Sequence, residues 1–396
     1  MGSEMKYNRQ VDATLSELGN LFQERYGTAP TLLSRAPGRL EILGNHTDYN
    51  EGTVLSVAID RAARIAAAPN PHAEKNGMVC RLYDIKGRSA REFRLDDLDN
   101  CRRGDWSNYI KGLVVEFNLQ GFKVPAFDAL VTGDVPLSAG MSSSAALEMS
   151  MALILNRLSD ARLTWLELAK IGQACENNYV GAHTGLLDQI SSLRGKAGHL
   201  IYSDFRSFDV QNIPMPEGTV FVVANSMVKH NLTNEYNERR EACEEAARIL
   251  DVKALRDVSP EQLEARKSDL REVVYRRAKH VVGEIARVGA GQEALEQGNL
   301  DKFGQLMTES HESSRHNFEN SCPEIDTLVE IGRTLPGFLG ARISGGGFGG
   351  ITVHLVKVES AQAYCEQLGA TYQKRTGINS HPMVLTAADG ATIWEN

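Results

Sequence analysis

The sequence has no long apolar run. Its best candidate, Ala145 to Leu155, is short and contains Glu148, which argues against a membrane-spanning helix of about 20 apolar residues. It has no excess of positive charge: 43 Lys and Arg stand against 51 Asp and Glu, a net charge of -8, which disfavours a nucleic-acid surface. It lacks paired cysteines. Cys80, Cys101, Cys175, Cys243, Cys322 and Cys365 are scattered, without the short spacing of a zinc site or redox pair. They read as reduced structural cysteines of a cytosolic protein. The first residues, Met1 to Lys6, carry no apolar signal run, and Met1 to Ser3 read as a cloning remnant.

Several catalytic motifs are missing as well. Gly195-Lys196 is followed by Ala197, so it is not a Walker A loop, and Asp204-Phe205 is followed by Arg206 rather than glycine. His311 and His316 are five residues apart, about 140° around a helix, so they cannot share a metal as an i, i+4 pair does. No fixed-period repeat is present.

What is there is enough for a large core. The chain has 396 residues, 42% hydrophobic and 24% charged, which suggests two or three domains, or two halves sharing a cleft. Thr53 to Ala68 and Ala126 to Thr132 read as strands. Ser142 to Arg157 reads as a helix apolar nearly all round, hence buried, and Leu163 to Val180 as a second helix. Charged helices run from Asn231 to about Leu250 and through Ala265 to Val288. Glu324 to Leu335 is a helix ended by Pro336-Gly337, and Arg342 to Val358 is strand, glycine loop, strand. Strands and helices do not alternate strictly, so the class is α+β. A boundary is expected near residue 205, giving lobes 1–205 and 206–396, with the last strand free to pack on the first lobe.

Three segments carry chemistry. Ser344 to Gly350 contains five glycines in six positions and a G-x-G-x-x-G spacing. A strand follows it, not the helix that a dinucleotide fold needs. So many glycines lose much backbone entropy on folding, so close backbone approach to something is expected. Pro136 to Ala146 holds Gly140 and Ser142-Ser143-Ser144 between a strand and the buried helix. Small residues at a helix N-terminus let backbone N–H groups face an anion, and three serines exceed one cap, so the segment reads as phosphate-binding. Arg35 to Gly52 crowds His46, Asp48, Tyr49 and Asn50 into five positions. These suit the vicinal hydroxyls of a sugar, or a polar turn with an Asx bond; the residues alone leave both open.

In this order the three segments resemble the galactokinases of the GHMP kinase superfamily: Arg35 to Gly52 the sugar signature, Pro136 to Ala146 the phosphate loop, and Ala341 to Gly350 the glycine-rich motif. Asp105 to Gly112, Gly185 to Gln189, Asn234 to Arg240 and Ser321 to Asp326 extend the resemblance over nearly the whole chain. It implies a ribosomal-protein-S5-like N-terminal lobe, a ferredoxin-like C-terminal lobe and an active site between them. It also implies ATP-dependent phosphorylation of a sugar's anomeric hydroxyl. By matching position, Asp188 and Arg39 are the catalytic pair. Glu41, Asn45, His46, Asp48, Gly185 and Tyr236 are sugar contacts, and Ser144 and Glu176 are ligands of Mg2+. Trp106, Tyr109, Pro136, Gly140, Ser142, Ser143, Ser144, Ala145, Gly346 and Gly347 are expected at ATP. The resemblance implies a cytoplasmic enzyme with small-molecule partners, no nucleic acid or membrane, and a monomer or weak homo-oligomer.

The sequence departs from the usual pattern at four places. Position 41 is Glu where the family has Asn, and 45 is Asn where it has Glu. Ser56 replaces Pro, and His316-Asn317 replaces Asp-Asp. Without a carboxylate at 45, a C6-modified acceptor such as galacturonic acid becomes an alternative to galactose, unless Glu41 restores the charge. In an extended segment 41 and 45 share a face. A non-catalytic sugar sensor is the other alternative, against which stand the intact serine loop, Asp188 and Arg39.

Overall fold

The computed structural model describes residues 13–396 apart from 76, 138–139, 183 and 229–232, and only the backbone at 13, 233, 234 and 236. After helix α1 (Ala13–Tyr26), strands β1 (Leu32–Leu43) and β2 (Thr53–Pro69) form a long antiparallel pair. Strands β3 (Val79–Asp84) and β4 (Ser89–Arg94), helix α2 (Ser107–Leu119) and strand β5 (Phe127–Gly133) follow. Next come helices α3 (Ser143–Leu158), α4 (Trp165–Ala174) and α5 (Leu187–Arg194), then strands β6 (His199–Asp204) and β7 (Val210–Pro214). The first sheet runs β12-β1-β2-β5-β3-β4, with β6 pairing β2 and β7.

The second half opens with β8 (Thr219–Asn225). Helices α6 (Thr233–Ile249), α7 (Pro260–Ala265), α8 (Glu272–Glu296), α9 (Leu300–Ser313) and α10 (Pro323–Gly332) follow. Then come β9 (Phe338–Ser344), β10 (Ile351–Lys357), α11 (Ala361–Thr376), β11 (Met383–Leu385) and β12 (Thr392–Glu395). The second sheet is antiparallel in the order β11-β8-β10-β9. Helices follow its first and third strands in sequence, and the fourth lies beside the first, which is the ferredoxin-like split βαβ arrangement. β12 returns to the first sheet and pairs antiparallel with β1, from Leu32↔Glu395 to Arg35↔Thr392.

Changeover between the sheets falls between Pro214 and Thr219, past the expected 205, because the β6–β7 hairpin still belongs to the first sheet. Local signals explain the main elements. Helix α4 starts on a capping box, Thr164 with Glu167. Helix α3 is buried nearly all round, as its sequence predicts. The helix read over Leu163 to Val180 ends at Ala174 in regular form and finishes as a wider π-helical turn, Cys175–Val180. Such turns re-aim side chains, and this one carries Glu176.

One core joins the two sheets. Leu40, Ile42, Leu55 and Val57 of the first pack with Phe221, Val223, Ile351 and Val353 of the second and Phe303 and Met307 of α9. Each fully buried side chain of this kind contributes about 1.5–3 kcal/mol, so the cleft between the halves has a stiff floor. Two glycines let α9 lie directly against β9: a Cβ on Gly304 would sit 2.0 Å from the Leu339 carbonyl oxygen, and one on Gly340 would sit 2.3 Å from that of Gly304. Among the described residues no helix is long and apolar enough to cross a membrane.

Candidate active site

At the end of β1 a cavity of about 430 Å³ opens between the halves. It is lined by Arg39, Glu41, Asn45, His46, Asp48, Gly185 and Asp188, by Gly345 and Gly346, and by Gly181, Ala182, Thr184, Leu187 and Asn237. Arg39 and Glu41 are alternate residues of one strand, so they point to one face, roughly 7 Å apart. A hexose is of that length.

Arg39 and Asp188 meet on the floor. The Arg39 Nε donates to Asp188 Oδ1 at 2.7 Å, and Nη2 lies 2.6 Å from the same oxygen. The remaining Nη1 donates to the Gly140 carbonyl at 2.7 Å. Arg39 is buried and Asp188 is one-fifth exposed. Asp188 lies in the first turn of α5, where the helix dipole favours a carboxylate. Its second oxygen, Oδ2, takes the Ser142 hydroxyl. Ser142, the residue before α3, lies in the left-handed region at φ 55° and touches the catalytic candidate.

The other end is built from contacts between the halves. Glu41 Oε1 accepts from the Asn45 amide at 2.8 Å and from Arg342 Nη1 at 3.0 Å. Arg342 is fully buried, and its Nε and Nη2 have no partner among the described residues. Asn45 spends its other amide proton on the Gly345 carbonyl at 2.9 Å, and its Oδ1 accepts from Asn320 at 2.9 Å. The segment is not extended as far as 45, because β1 ends at Leu43; the turn after it brings Asn45 onto Glu41, the two are hydrogen-bonded, and the carboxylate is present at 41. Oε2 of Glu41 carries no hydrogen bond among the described residues, and Glu41 lines the cavity.

His46 sits at φ 61°, uncommon for a residue with a side chain. Its Nε2 faces the Gly346 carbonyl at 3.1 Å, and its Nδ1 faces the Tyr49 hydroxyl at 3.0 Å. A carbonyl only accepts, so Nε2 carries the proton and Nδ1 accepts. Burial pushes the ring down to about 4, which keeps it neutral. Tyr49 and Asn50 brace the loop: the Asn50 amide donates to the His46 carbonyl at 3.0 Å. Tyr49 and Asn50 thus serve the turn, while His46 and Asp48 line the cavity.

Asp48 is pushed up to about 6 by burial, with Glu41 and Asp188 adding to the rise. A Cβ on Gly185 would lie 1.8 Å from Asp48 Oδ2, so glycine is there for space. Tyr236 lies outside the residues whose side chains are described.

The expected nucleotide residues are more dispersed. Gly140 is exposed, with φ 72°, and holds Arg39. Pro136 is half-buried, Ser143 lies at the start of α3, and Ala145 is buried one turn in. Trp106 donates from Nε1 to the Ser89 hydroxyl at 3.1 Å. The Tyr109 hydroxyl is pushed up to about 12 by burial, with Glu176 and Glu148 adding. The glycine loop does make a close backbone approach, but to the protein: a Cβ on Gly347 would sit 2.4 Å from the Asn320 carbonyl oxygen. The carbonyls of Gly345 and Gly346 face Asn45 and His46.

Glu176 accepts from the Thr184 hydroxyl and from Gln189 at 3.2 Å, and the nearby Ser144 hydroxyl favours its ionised form. Its carboxyl is raised by burial, with the Asp188 charge adding. The hydroxyl and carboxylate of 144 and 176 thus face each other, a pair of hard oxygen ligands that suits Mg2+ sharing a phosphate. Among the described residues no group of three or more His, Cys, Asp or Glu could hold a metal alone.

Sequence reasoning missed Thr184 and Asn237 on the wall, and Arg342, Asn320 and Glu284 behind it. Asn237 and Arg342 lie inside segments already singled out. Glu284 has no local signal. Two departures do not line the cavity, although Ser56 lies directly opposite Glu41 across the β1–β2 pair. Ser56 is buried and bonds Ser191 at 2.7 Å, tying β2 to α5. His316 and Asn317 line a separate surface cavity with Lys279 and Arg287.

Residues 20–69 match the galactokinase galactose-binding signature, 108–196 the GHMP kinase N-terminal domain, and 292–374 the GHMP kinase C-terminal domain. A galactokinase of Glaesserella parasuis is 41% identical over 94% of this chain and 97% of its own length. One from Roseiflexus is 39% identical over 94% and 96%. The crystal structure of Lactococcus lactis galactokinase complexed with galactose superposes with a TM-score of 0.90 at 31% identity, covering 96% of this chain and all of that one.

Proposed function

The chain belongs to the galactokinase family of GHMP kinases, and from that premise we propose that its cleft transfers the terminal phosphoryl group of ATP to the anomeric hydroxyl of galactose. The observation that carries this reading is the Arg39–Asp188 pair on the floor of a polar cavity of hexose length. The acceptor hydroxyl lies at Asp188. As its oxygen forms the bond to the γ-phosphorus, the bond to the ADP oxygen breaks and the hydroxyl proton leaves toward Asp188. Phosphoryl transfer needs little covalent help, so in-line placement and charge neutralisation dominate. Asp188 is held on both oxygens, by Arg39 and Ser142, so the geometry fixes its direction. Arg39 also reaches Gly140 at the edge of the serine loop, so one guanidinium ties the acceptor side to the nucleotide side.

Small side chains and N–H groups at the start of α3 receive the phosphates. Ser144 and Glu176 would hold Mg2+, which neutralises phosphate charge. Trp106 and Tyr109 flank the nucleotide farther out. We place the protein in the cytosol, in keeping with its six unpaired cysteines.

Galactose is favoured over galacturonate by what the far end offers. Both Asn45 amide protons are already used, and Glu41 adds a carboxylate. Of these groups the one that faces the cavity with an oxygen to spare is Glu41, and its Oε2 accepts hydrogen bonds. A hydroxyl can donate to it; a second carboxylate cannot, and it would meet Glu41. A coupled ADP-release assay over galactose, glucose and galacturonate tests the reading. Galacturonate turned over with a specificity constant tenfold above that for galactose, about 1.4 kcal/mol in transition-state binding, would refute it.

A further inference from the structure

Helix α8 carries a carboxylate that the mechanism above does not use. Glu284 is fully buried. Its Oε2 accepts from the backbone N–H groups of Gly44 at 3.1 Å and Asn45 at 3.0 Å, and from the Ser310 hydroxyl at 2.9 Å. Its Oε1 accepts from Arg287 Nε at 2.6 Å. Burial alone would raise this carboxyl, but the positive groups around it, Arg287 first and then His280 and Arg342, together outweigh that and hold it well below the usual carboxylate range.

The segment it grips is unusual. Gly44 has φ 96° and His46 φ 61°, so the backbone turns sharply on either side of Asn45. Consecutive N–H groups in such a turn converge into an anion-binding concavity. Here the protein fills that concavity with its own side chain, from a helix about 240 residues away in sequence. Gly44 leaves no room for an alternative: a Cβ there would sit 2.5 Å from the Thr53 carbonyl oxygen. The same turn presents Asn45, His46 and Asp48 to the cavity.

We propose that Glu284 is a positioning residue for the sugar: by capping the Gly44 and Asn45 amides from the helical half, it sets the turn that aims Asn45, His46 and Asp48 at the acceptor. The inference rests on the galactokinase reading for the identity of the ligand, but not for the geometry. Every partner of Glu284 is a donor. A glutamine offers one acceptor oxygen and one NH2, so Glu284→Gln must set a donor against a donor, either at Arg287 or at the loop. A merely structural role would lower stability and leave the ratio of sugar to nucleotide affinity alone.

The test compares the wild type, E284Q and E284Q/R287M. In E284Q the KM for galactose is expected to rise at least tenfold, while the KM for ATP stays within twofold and kcat within threefold. Removing the guanidinium lets the glutamine oxygen turn to the loop, so E284Q/R287M should recover most of the lost sugar affinity. Hydrogen exchange measured without substrate should show faster exchange confined to the peptide holding Gly44 and Asn45. Equal rises in both KM values, or unchanged exchange at that peptide, would overturn the proposal. Exchange that rises everywhere, with no recovery in E284Q/R287M, would assign Glu284 to stability instead. If the wild type fails to phosphorylate galactose, the functional reading falls, and the exchange measurement still decides whether Glu284 holds the turn.

Discussion

The two ends of the cleft are built differently. The proposed acceptor end is a network of side chains drawn from both halves: Glu41 with Arg342, Asn45 with Asn320, His46 with Gly346 and Asp48 over Gly185. The proposed nucleotide end is built from small residues and backbone at the start of α3, with Leu137 78% exposed beside it. A rigid network of long-range pairs discriminates among hydroxyls but breaks when one member changes. A loop of backbone donors tolerates side-chain changes and recognises charge. Substitutions at the acceptor end should therefore change which sugar is used and how stable the fold is, and those at the nucleotide end should change metal and nucleotide use.

The largest effect is expected where the two ends meet. Asp188→Asn keeps the size and the contacts to Arg39 and Ser142 approximately, but removes the charge and the proton acceptor. Turnover should fall at least about a thousandfold, with nucleotide affinity within a few fold of wild type by titration. Turnover close to the parent would remove Asp188 from the mechanism.

Next comes the buried pair at the far end. Glu41→Ala leaves the Arg342 guanidinium buried without its partner, a change that costs about 3–5 kcal/mol in stability. It should also lower kcat/KM for galactose about a hundredfold, and thermal unfolding and kinetics measured together separate the two effects. Asn45→Glu is expected to be harmful as well, because the new acid would stand against the Glu41 carboxylate. A silent Glu41→Ala variant would mean that Asn45 alone serves this end, and the contrast between the two ends would lose its clearest case.

Much of this was readable from sequence where the signal is local. The long strand from Thr53, the buried helix after the serines and the strand–glycine–strand unit all carry their own periodicity and breakers. Arg39 and Asp188 were paired only through family resemblance, since they are 149 residues apart. The glycine loop reads as approaching something closely, and that Gly347 approaches Asn320 is what no spacing could reveal. Glu284 was invisible because an acid in a charged helix reads as a solvated face, and only the tertiary fold buries it. The departures at 41 and 45 were legible individually; that their side chains touch depends on where β1 ends.

Asp48 sharpens the acceptor side through pH. Its carboxyl is raised to about 6 by burial, with Glu41 next. A sugar hydroxyl that donates to Asp48 favours the ionised form, so proton and sugar compete. Galactose affinity should rise as pH climbs through about 6, and should be roughly tenfold weaker at pH 5 than at pH 7. Asp48→Asn should flatten that profile. His46, down at about 4, stays neutral over this window and supplies no competing transition.

The smallest effect belongs to the nucleotide end. Ser144→Ala removes one hydroxyl and leaves Glu176, Thr184 and Gln189 in place around the carboxylate. Mg2+ keeps most of its ligands from water and phosphate, so losing one neutral protein oxygen should raise the Mg2+ requirement several-fold and leave galactose affinity unchanged. The readout is activity against free Mg2+ at saturating galactose, paired with sugar binding measured in the absence of nucleotide. A shift in sugar binding equal to the shift in metal requirement would mean that α3 and the acceptor pocket move as one body, joined through Ser142, Asp188 and Arg39. An unchanged metal requirement would remove Ser144 from the metal's neighbourhood and leave Glu176 as its one protein ligand.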